Sequence, residues 1–264
     1  MERAEIQFRY IAPNKVQNRN ATTMNRWQEA KLIESSYTSR MMKSFKFELE
    51  RPFDFLPGQF CDIKLTSADG VEATRSYSIA SAPGGKLIEF GIQILEDGEV
   101  SGHMDKMEPG DTVQLLGPLG GYFVWDPDLS GGREILLIGG GSGIVPLVSM
   151  IRHRVRLGQG SKLYALFSVR SLQDLAWRDE IVGYSLLEHD AGVRVAVTLS
   201  REWEDDWGGD VGRIDTEKIE RLLKDVNVSN LDTYICGRSE FVESVGSSLK
   251  SIGVKEAIRT ERFG

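Results

Sequence analysis

Three short stretches of the chain carry residue types suited to holding a flat, phosphate-bearing ligand. Gly139-Gly140-Gly141-Ser142-Gly143 stands between an apolar run and residues at helical spacing. Glycines at such a turn let the backbone approach a phosphate, and the free amides of a helix start supply donors and a favourable dipole. Pro146 stands where the third glycine of a G-x-G-x-x-G pattern would fall, and a helix accepts proline in its first turn. In Arg75-Ser76-Tyr77-Ser78, strand alternation sends Arg75 and Tyr77 to one face and Ser76 and Ser78 to the other. A guanidinium there can pair with a phosphate while the phenol ring packs on a heterocycle. Cys236-Gly237 closes an apolar strand at its carboxyl end, the edge where open α/β sheets bind ligands. Plainer readings stand beside these: a close-packed turn, a solvated strand face and a structural thiol.

The elements that must position these residues fall into two groups. Segments 27–39, 42–50, 59–67, 74–81, 86–95 and 111–117 are strand-length and rich in β-branched or aromatic residues. Turns such as Pro57-Gly58, Pro83-Gly84-Gly85, Asp97-Gly98 and Pro109-Gly110 separate them. This spacing predicts an antiparallel six-stranded β-barrel over residues 26–130, with one helix near 101–107. Beyond it, strands at 134–140, 162–170, 193–200 and 232–237 alternate with helices at 142–159, 174–190, 216–226 and 239–253. That alternation predicts an α/β doubly wound parallel sheet over residues 131–264. Residues 1–25 are polar and without periodicity, an N-terminal extension that forms either a tail or an added first strand.

Composition narrows the chemistry. The 264 residues carry 32 basic and 39 acidic side chains, a net charge of −7, which argues against nucleic acid as a partner. No apolar run approaches the ~18–20 residues of a membrane span, and the first residues lack the apolar core of a secretory signal. Two cysteines and three scattered histidines leave no metal site and no iron–sulfur cluster within the chain. A reducing, cytoplasmic setting is expected.

Taken in order, the motifs resemble the ferredoxin–NADP reductase family of flavoenzymes from residue 57 to the C-terminus. Pro57-Gly58-Gln59, RSYS at 75–78, Gly98-Glu99-Val100-Ser101 and GPLGGYF at 117–123 look like its flavin barrel. GGGSGIVP at 139–146, LFSVR at 166–170 and CGRSEF at 236–241 look like its pyridine-nucleotide domain. The resemblance implies that Arg75 binds the flavin pyrophosphate, that Tyr77 packs on the isoalloxazine and that Ser78 lies beside flavin N5. It implies that Gly98, Val100 and Ser101 hold the FAD pyrophosphate, with Ser76 and Ile92 as further cofactor contacts. Gly141, Ser142, Gly143, Pro146 and Gly237 belong to the nucleotide side, with the Cys236 thiol beside the nicotinamide. Glu261-Arg262-Phe263 resembles the family's acid-x-aromatic ending, in which the acid nears the reacting atoms and the aromatic covers the flavin. Gln93 departs from the pattern, standing where a lysine or arginine is common.

The expected activity is therefore transfer of a hydride from NAD(P)H to FAD, with electrons passed to a ferredoxin, a flavodoxin or an oxygenase component. Ser168 and Arg170 end the second strand of the α/β domain without an acid, which favours NADPH over NADH. Two rivals are a free-flavin reductase and a non-catalytic nucleotide-sensing or docking module on the same fold. Chromatography of the chromophore released on denaturation separates these: one FAD per chain is expected, and FMN or no flavin contradicts the assignment.

Overall fold

The computed structural model describes residues 26–66, 70, 72–186, 192–254 and 258–263; the expected N-terminal extension lies outside them. The first half holds β1 (Gln28–Tyr37), β2 (Met42–Leu49), β3 (Phe60–Thr66), β4 (Glu72–Ser78), β5 (Leu87–Gln93), α1 (Glu99–Asp105) and β6 (Thr112–Leu119). The strands run antiparallel in the order β4-β3-β6-β1-β2-β5, and a bridge from Ile79 to Phe90 draws the two edge strands together. The sheet thus curls into the expected barrel. Alternate residues of β1 turn inward, and the interior is filled by Leu32, Phe45, Phe47, Ile63, Phe90 and Leu115, none exposed to solvent. Phe90 meets Phe47 edge to face at 6.1 Å, and α1 lays Val100 and Met104 into the same core.

The second half holds β7 (Glu134–Gly140), α2 (Ile144–Leu157), β8 (Leu163–Val169), α3 (Arg178–Leu186), β9 (Val193–Leu199), β10 (Asp210–Val211), α4 (Thr216–Leu222), β11 (Leu231–Gly237), α5 (Ser239–Ser251) and β12 (Ile258–Arg262). Its strands run parallel in the order β10-β9-β8-β7-β11-β12. β7 and β11 are buried nearly end to end because helices cover both faces. The chain winds outward from β7 in one direction, then returns to place β11 on its other side. The crevice at that switch point is where ligands enter such sheets.

Three expectations are corrected. The helix expected from 174 begins only at Arg178: residues 172–174 form a 3-10 turn closed by a Ser171–Asp174 capping box, and Trp177 has a positive φ of 51°. The helix expected from 142 is preceded by a 3-10 turn over Gly141–Gly143. Two strands, β10 and β12, were not expected. β10 is two residues long, and β12 reads Ile-Arg-Thr-Glu-Arg, too polar to signal a strand.

The two sheets meet along β5 and α2. Met42, Ala80, Phe123 and Trp125 from the first half share one core with Val145, Val148 and Trp177 from the second. At the centre of this seam Glu89 of β5, buried, pairs with Arg152 of α2 at 2.8 Å.

Truncating Phe47 to alanine removes a fully buried aromatic and should cost ~3–5 kcal/mol. Denaturant unfolding followed by circular dichroism checks this through a lowered midpoint of the barrel transition.

Candidate active site

The barrel contributes an edge strand. In β4, Ser78 faces Phe60, Tyr77 faces Cys61, Ser76 faces Asp62 and Arg75 faces Ile63 across the antiparallel pair with β3. Opposed residues share a face, so Tyr77 turns towards the core while Ser76 turns away and donates to Asp62 Oδ1 at 2.6 Å. Tyr77 is half-buried, and burial pushes its hydroxyl up to about 12 against the opposing pull of Arg75. Arg75 is exposed, donates to the Thr74 carbonyl at 2.8 Å and makes no ion pair among the described residues. A guanidinium with no carboxylate partner beside a half-open phenol ring suits a phosphate-bearing aromatic ligand.

Gly98 caps α1 without a side-chain bond, beside an open cleft of about 650 Å³ lined by Leu95, Asp97, Gly98 and Glu99. A Cβ at Gly98 would lie against Ser101 Oγ, so a larger residue there would have to displace that hydroxyl. The neighbouring side chains have partners within the barrel. The Ile92 and Val100 side chains lie in the barrel core, and Ser101 Oγ accepts from the Leu95 amide at 3.2 Å. Ile92 and Val100 can offer a cofactor only their backbone, while Ser101 keeps a hydroxyl donor.

The second half contributes the glycine loop and the ends of β11 and β12. Gly141 has φ +58° with open space around it, and no side chain caps the loop or the start of α2. Gly143 packs so closely on β11 that a Cβ would strike the Cys236 carbonyl. Pro146 is buried in the first turn of α2. Within this loop Gly143 serves packing and Gly141 leaves an accessible backbone.

Register places Cys236 between Gly139 of β7 and Glu261 of β12. Cys236 is buried, and burial, with the Glu261 carboxylate beside it, pushes the thiol well above its ordinary value. Burial also pushes the Glu261 carboxyl up to about 7, and its Oε2 is buried without a hydrogen-bond partner. An orphaned carboxyl oxygen next to a thiol at the sheet's switch point is what a polar ligand would satisfy. Phe263 follows, its amide donating to the Gly237 carbonyl at 3.3 Å and its ring packed on the core shared by the two halves.

Further along the same edge, Ser168 is half-buried and Arg170 exposed. Ser171 is committed to Asp174 at 2.9 Å, and Asp174 to Arg40 at 3.0 Å. Arg170 pairs with neither Asp179 nor Glu180, which bond Arg178 and Arg152 instead. Two residues that motif inspection did not single out join it. The Arg201 amide donates to the Arg170 carbonyl at 3.0 Å, and Arg213 follows β10, whose Val211 pairs with Leu199. None of the three guanidiniums has an ion-pair partner among the described residues. The available signal was a basic residue just beyond each of three successive strands.

Barrel and sheet, each with an uncapped glycine-led segment suited to an anion, define a protein fitted to hold two nucleotide-bearing cofactors. The residues present fit FAD and a nicotinamide dinucleotide: an unpaired arginine, a half-open tyrosine, an uncapped glycine loop and an orphaned acid. Comparison with known proteins agrees. Residues 29–124 match the oxidoreductase FAD-binding domain and residues 137–246 the oxidoreductase NAD-binding domain. The chain is 30% identical over 244 residues to ferredoxin–NADP reductase B of Sorangium cellulosum (strain So ce56), covering 89% of this chain and 97% of that protein. It is 35% identical over 161 residues to methane monooxygenase component C of Methylosinus trichosporium, covering 61% of this chain but only 44% of that protein. The fold superposes on a ferredoxin NADP+ reductase from Neisseria gonorrhoeae with bound FAD and NADP. There the TM-score is 0.75 at 23% identity, over 90% of this chain and 99% of the other. The chain belongs to the ferredoxin–NADP reductase-like family of FAD- and NAD(P)-binding oxidoreductases. It is an FAD-dependent enzyme that draws electrons from NAD(P)H and passes them to an external acceptor. No described helix is long and apolar enough to cross a membrane.

Glu261 gives a pH test. Its folded value near 7 exceeds the ordinary 4.5, so between these the folded chain holds a proton that the unfolded chain has released. Stability from this group is full below about 4.5 and falls as pH rises towards 7. Glu261→Gln should melt close to the parent at pH 4.5 and above it at pH 8, as read by differential scanning calorimetry. A melting difference independent of pH contradicts the raised value.

Proposed function

We propose that the enzyme prefers NADPH and delivers electrons to a separate acceptor protein, a ferredoxin, a flavodoxin or an oxygenase component. Bound FAD supplies a centre that accepts two electrons at once and releases them singly. The chain's own residues do the rest. Arg75 and the backbone at 98–101 bind the flavin pyrophosphate. Tyr77 and Phe263 bracket the flavin ring and exclude water. Ser78 orients the ring edge, and Cys236 and Glu261 seat the nicotinamide. Glu261, its carboxyl raised by burial to about 7, can offer a hydrogen bond from its protonated form below that pH. Gly141, Ser142 and Gly143 take the dinucleotide pyrophosphate at the start of α2.

The observation that carries the choice of nucleotide is the cluster of Arg170, Arg201 and Arg213 beyond β8, β9 and β10. A ribose 2′-hydroxyl is normally met by an acid at the end of the second strand. The first acid after β8 is Asp174, turned away onto Arg40 and Ser171. Three unpaired guanidiniums suit a dianionic 2′-phosphate instead. The acceptor proposal draws on the relatives, whose names join them to ferredoxin and to a methane monooxygenase. A cytoplasmic location is proposed on the two free, buried cysteines, which form no disulfide.

Steady-state kinetics with both nucleotides test the choice. The kcat/KM ratio of NADPH over NADH should fall by about 10-fold or more in Arg170→Ala, the equivalent of ~1.4 kcal/mol. Arg201→Ala should move it the same way. A parent that prefers NADH, or a ratio indifferent to both arginines, refutes the choice and leaves the family assignment standing.

A further inference from the structure

The two half-sites belong to different halves of the fold, and one knot of side chains joins them. Arg152 leaves the middle of α2, mostly buried, and its Nη1 donates to Glu89 Oε2 at 2.8 Å and to the Ala80 carbonyl at 3.0 Å. Its Nε and Nη2 donate to the two oxygens of Glu180 at 2.8 and 2.7 Å. The remaining Glu89 oxygen accepts from Ser44 Oγ at 2.7 Å and from Trp177 Nε1 at 2.9 Å, and Tyr184 donates to Glu180 at 2.7 Å. The guanidinium also lies 5.1 Å from the centre of the Trp177 ring. One turn earlier on α2, Ser149 donates to the Ser81 carbonyl at 2.7 Å.

The placement of this knot gives it a role. Ala80 lies two residues beyond Ser78, and its amide donates to the Glu89 carbonyl at 2.7 Å. α2 begins directly after the glycine loop, and the loop packs on Cys236. One set of bonds thus fixes both the exit of the flavin strand and the helix that carries the nucleotide loop. Gly91 reinforces it: a Cβ there would lie 2.5 Å from Trp177 Cη2 and 2.9 Å from Val145 Cγ2, so β5 and the first turn of α2 touch without a spacer.

We propose that the Glu89–Arg152–Glu180 knot is the positioning device of the redox step. It sets the spacing between the flavin half-site at Tyr77 and Ser78 and the nicotinamide half-site at Cys236 and Glu261, and it touches neither cofactor. The proposal rests on the placement of those half-sites given above. The step so aligned moves a hydride, one proton with two electrons, from nicotinamide C4 to flavin N5, oxidising the nicotinamide and reducing the flavin. Such a step needs near-contact alignment, so small displacements cost rate while leaving binding intact. A seam of apolar contacts alone can slide by shear; a guanidinium bonded on both sides has one seating.

Two variants of the holoenzyme test this by different means. Glu89→Gln removes the barrel's charge from the knot; Gly91→Ala keeps every charge and wedges β5 away from α2. Three quantities are measured: FAD retained per chain, the NADP dissociation constant by spectral titration, and anaerobic flavin reduction by stopped flow. Hydrogen exchange of segments 79–91 and 144–156 is followed in parallel. The expected result is parental FAD content and NADP affinity within about 2-fold, faster exchange at both segments, and reduction slowed by about 10- to 100-fold. If Glu89→Gln does not fold, Gly91→Ala decides alone. Reduction at the parental rate in Gly91→Ala overturns the proposal. So does a slow Glu89→Gln beside a parental Gly91→Ala, because the charge and not the spacing would then matter. Loss of FAD or of NADP affinity with an unchanged limiting rate overturns it as well, whereas a parent that holds no FAD or is not reduced by NADPH refutes instead the half-site reading on which it rests.

Discussion

The placement of Arg152 between two acids on opposite sides of a domain seam constrains everything else in this fold. Taking a guanidinium and two carboxylates out of water is costly, and it is tolerated only where each lone pair and each N–H finds a partner. Here the partners come from Ser44 and Ala80 on the barrel side and from Trp177 and Tyr184 on the other. Burial pushes the Glu180 carboxyl up, but the hydrogen bonds and charge of Arg152 outweigh it and hold Glu180 below its ordinary value. Breaking such a pair by removing one partner typically costs ~3–5 kcal/mol, more than most surface interactions of a protein this size contribute. The apolar core shared by Met42, Phe123, Val145 and Val148 supplies adhesion. The knot supplies a single seating.

Around that seating the chemistry is divided between the halves. The barrel offers a strand edge with an unpaired arginine and a half-buried phenol, groups suited to holding and covering a ligand. The parallel sheet offers a thiol that burial holds neutral and a carboxyl that burial raises to about 7. Neither set makes a complete site. On the proposed reading, the end of β12 would cover the barrel's ligand and the barrel would shield the sheet's switch point from water. Desolvation is the largest influence on both Tyr77 and Glu261, opposed at Tyr77 by the charge of Arg75.

Local motifs were legible in the sequence because their meaning is local. The RSYS strand, the glycine loop and the CG strand end each declare a backbone geometry within a few residues, and the structure places them on β4, before α2 and at the end of β11. The alternation of strands and helices was equally readable, since periodicity reports which face is buried. What could not be read depended on distant contacts. β12 is a strand because β11 offers it hydrogen bonds, not because Ile-Arg-Thr-Glu-Arg prefers one. The residues after Ser171 have helical spacing, yet the capping box and the turn at Trp177 delay α3 to Arg178. Ile92 and Val100 sit in motifs that resemble a cofactor site, but strand and helix alternation gave their side chains to the core. Glu89 and Arg152 stand 63 residues apart and carry no motif at all, so only the assembled seam reveals them.

The central claim is that one rigid seam brings a flavin on β4 face to face with a nicotinamide at Cys236. A crystal structure of the holoenzyme with NADP bound measures this most directly. The account predicts the flavin ring between Tyr77 and the C-terminal strand, and the nicotinamide beside Cys236 and Glu261. Its C4 should approach flavin N5 to ~3–3.5 Å, the separation that hydride transfer requires, with the Glu89–Arg152–Glu180 bonds intact. A flavin seated away from Tyr77, or a nicotinamide brought to the flavin only after α2 has parted from β5, would contradict it.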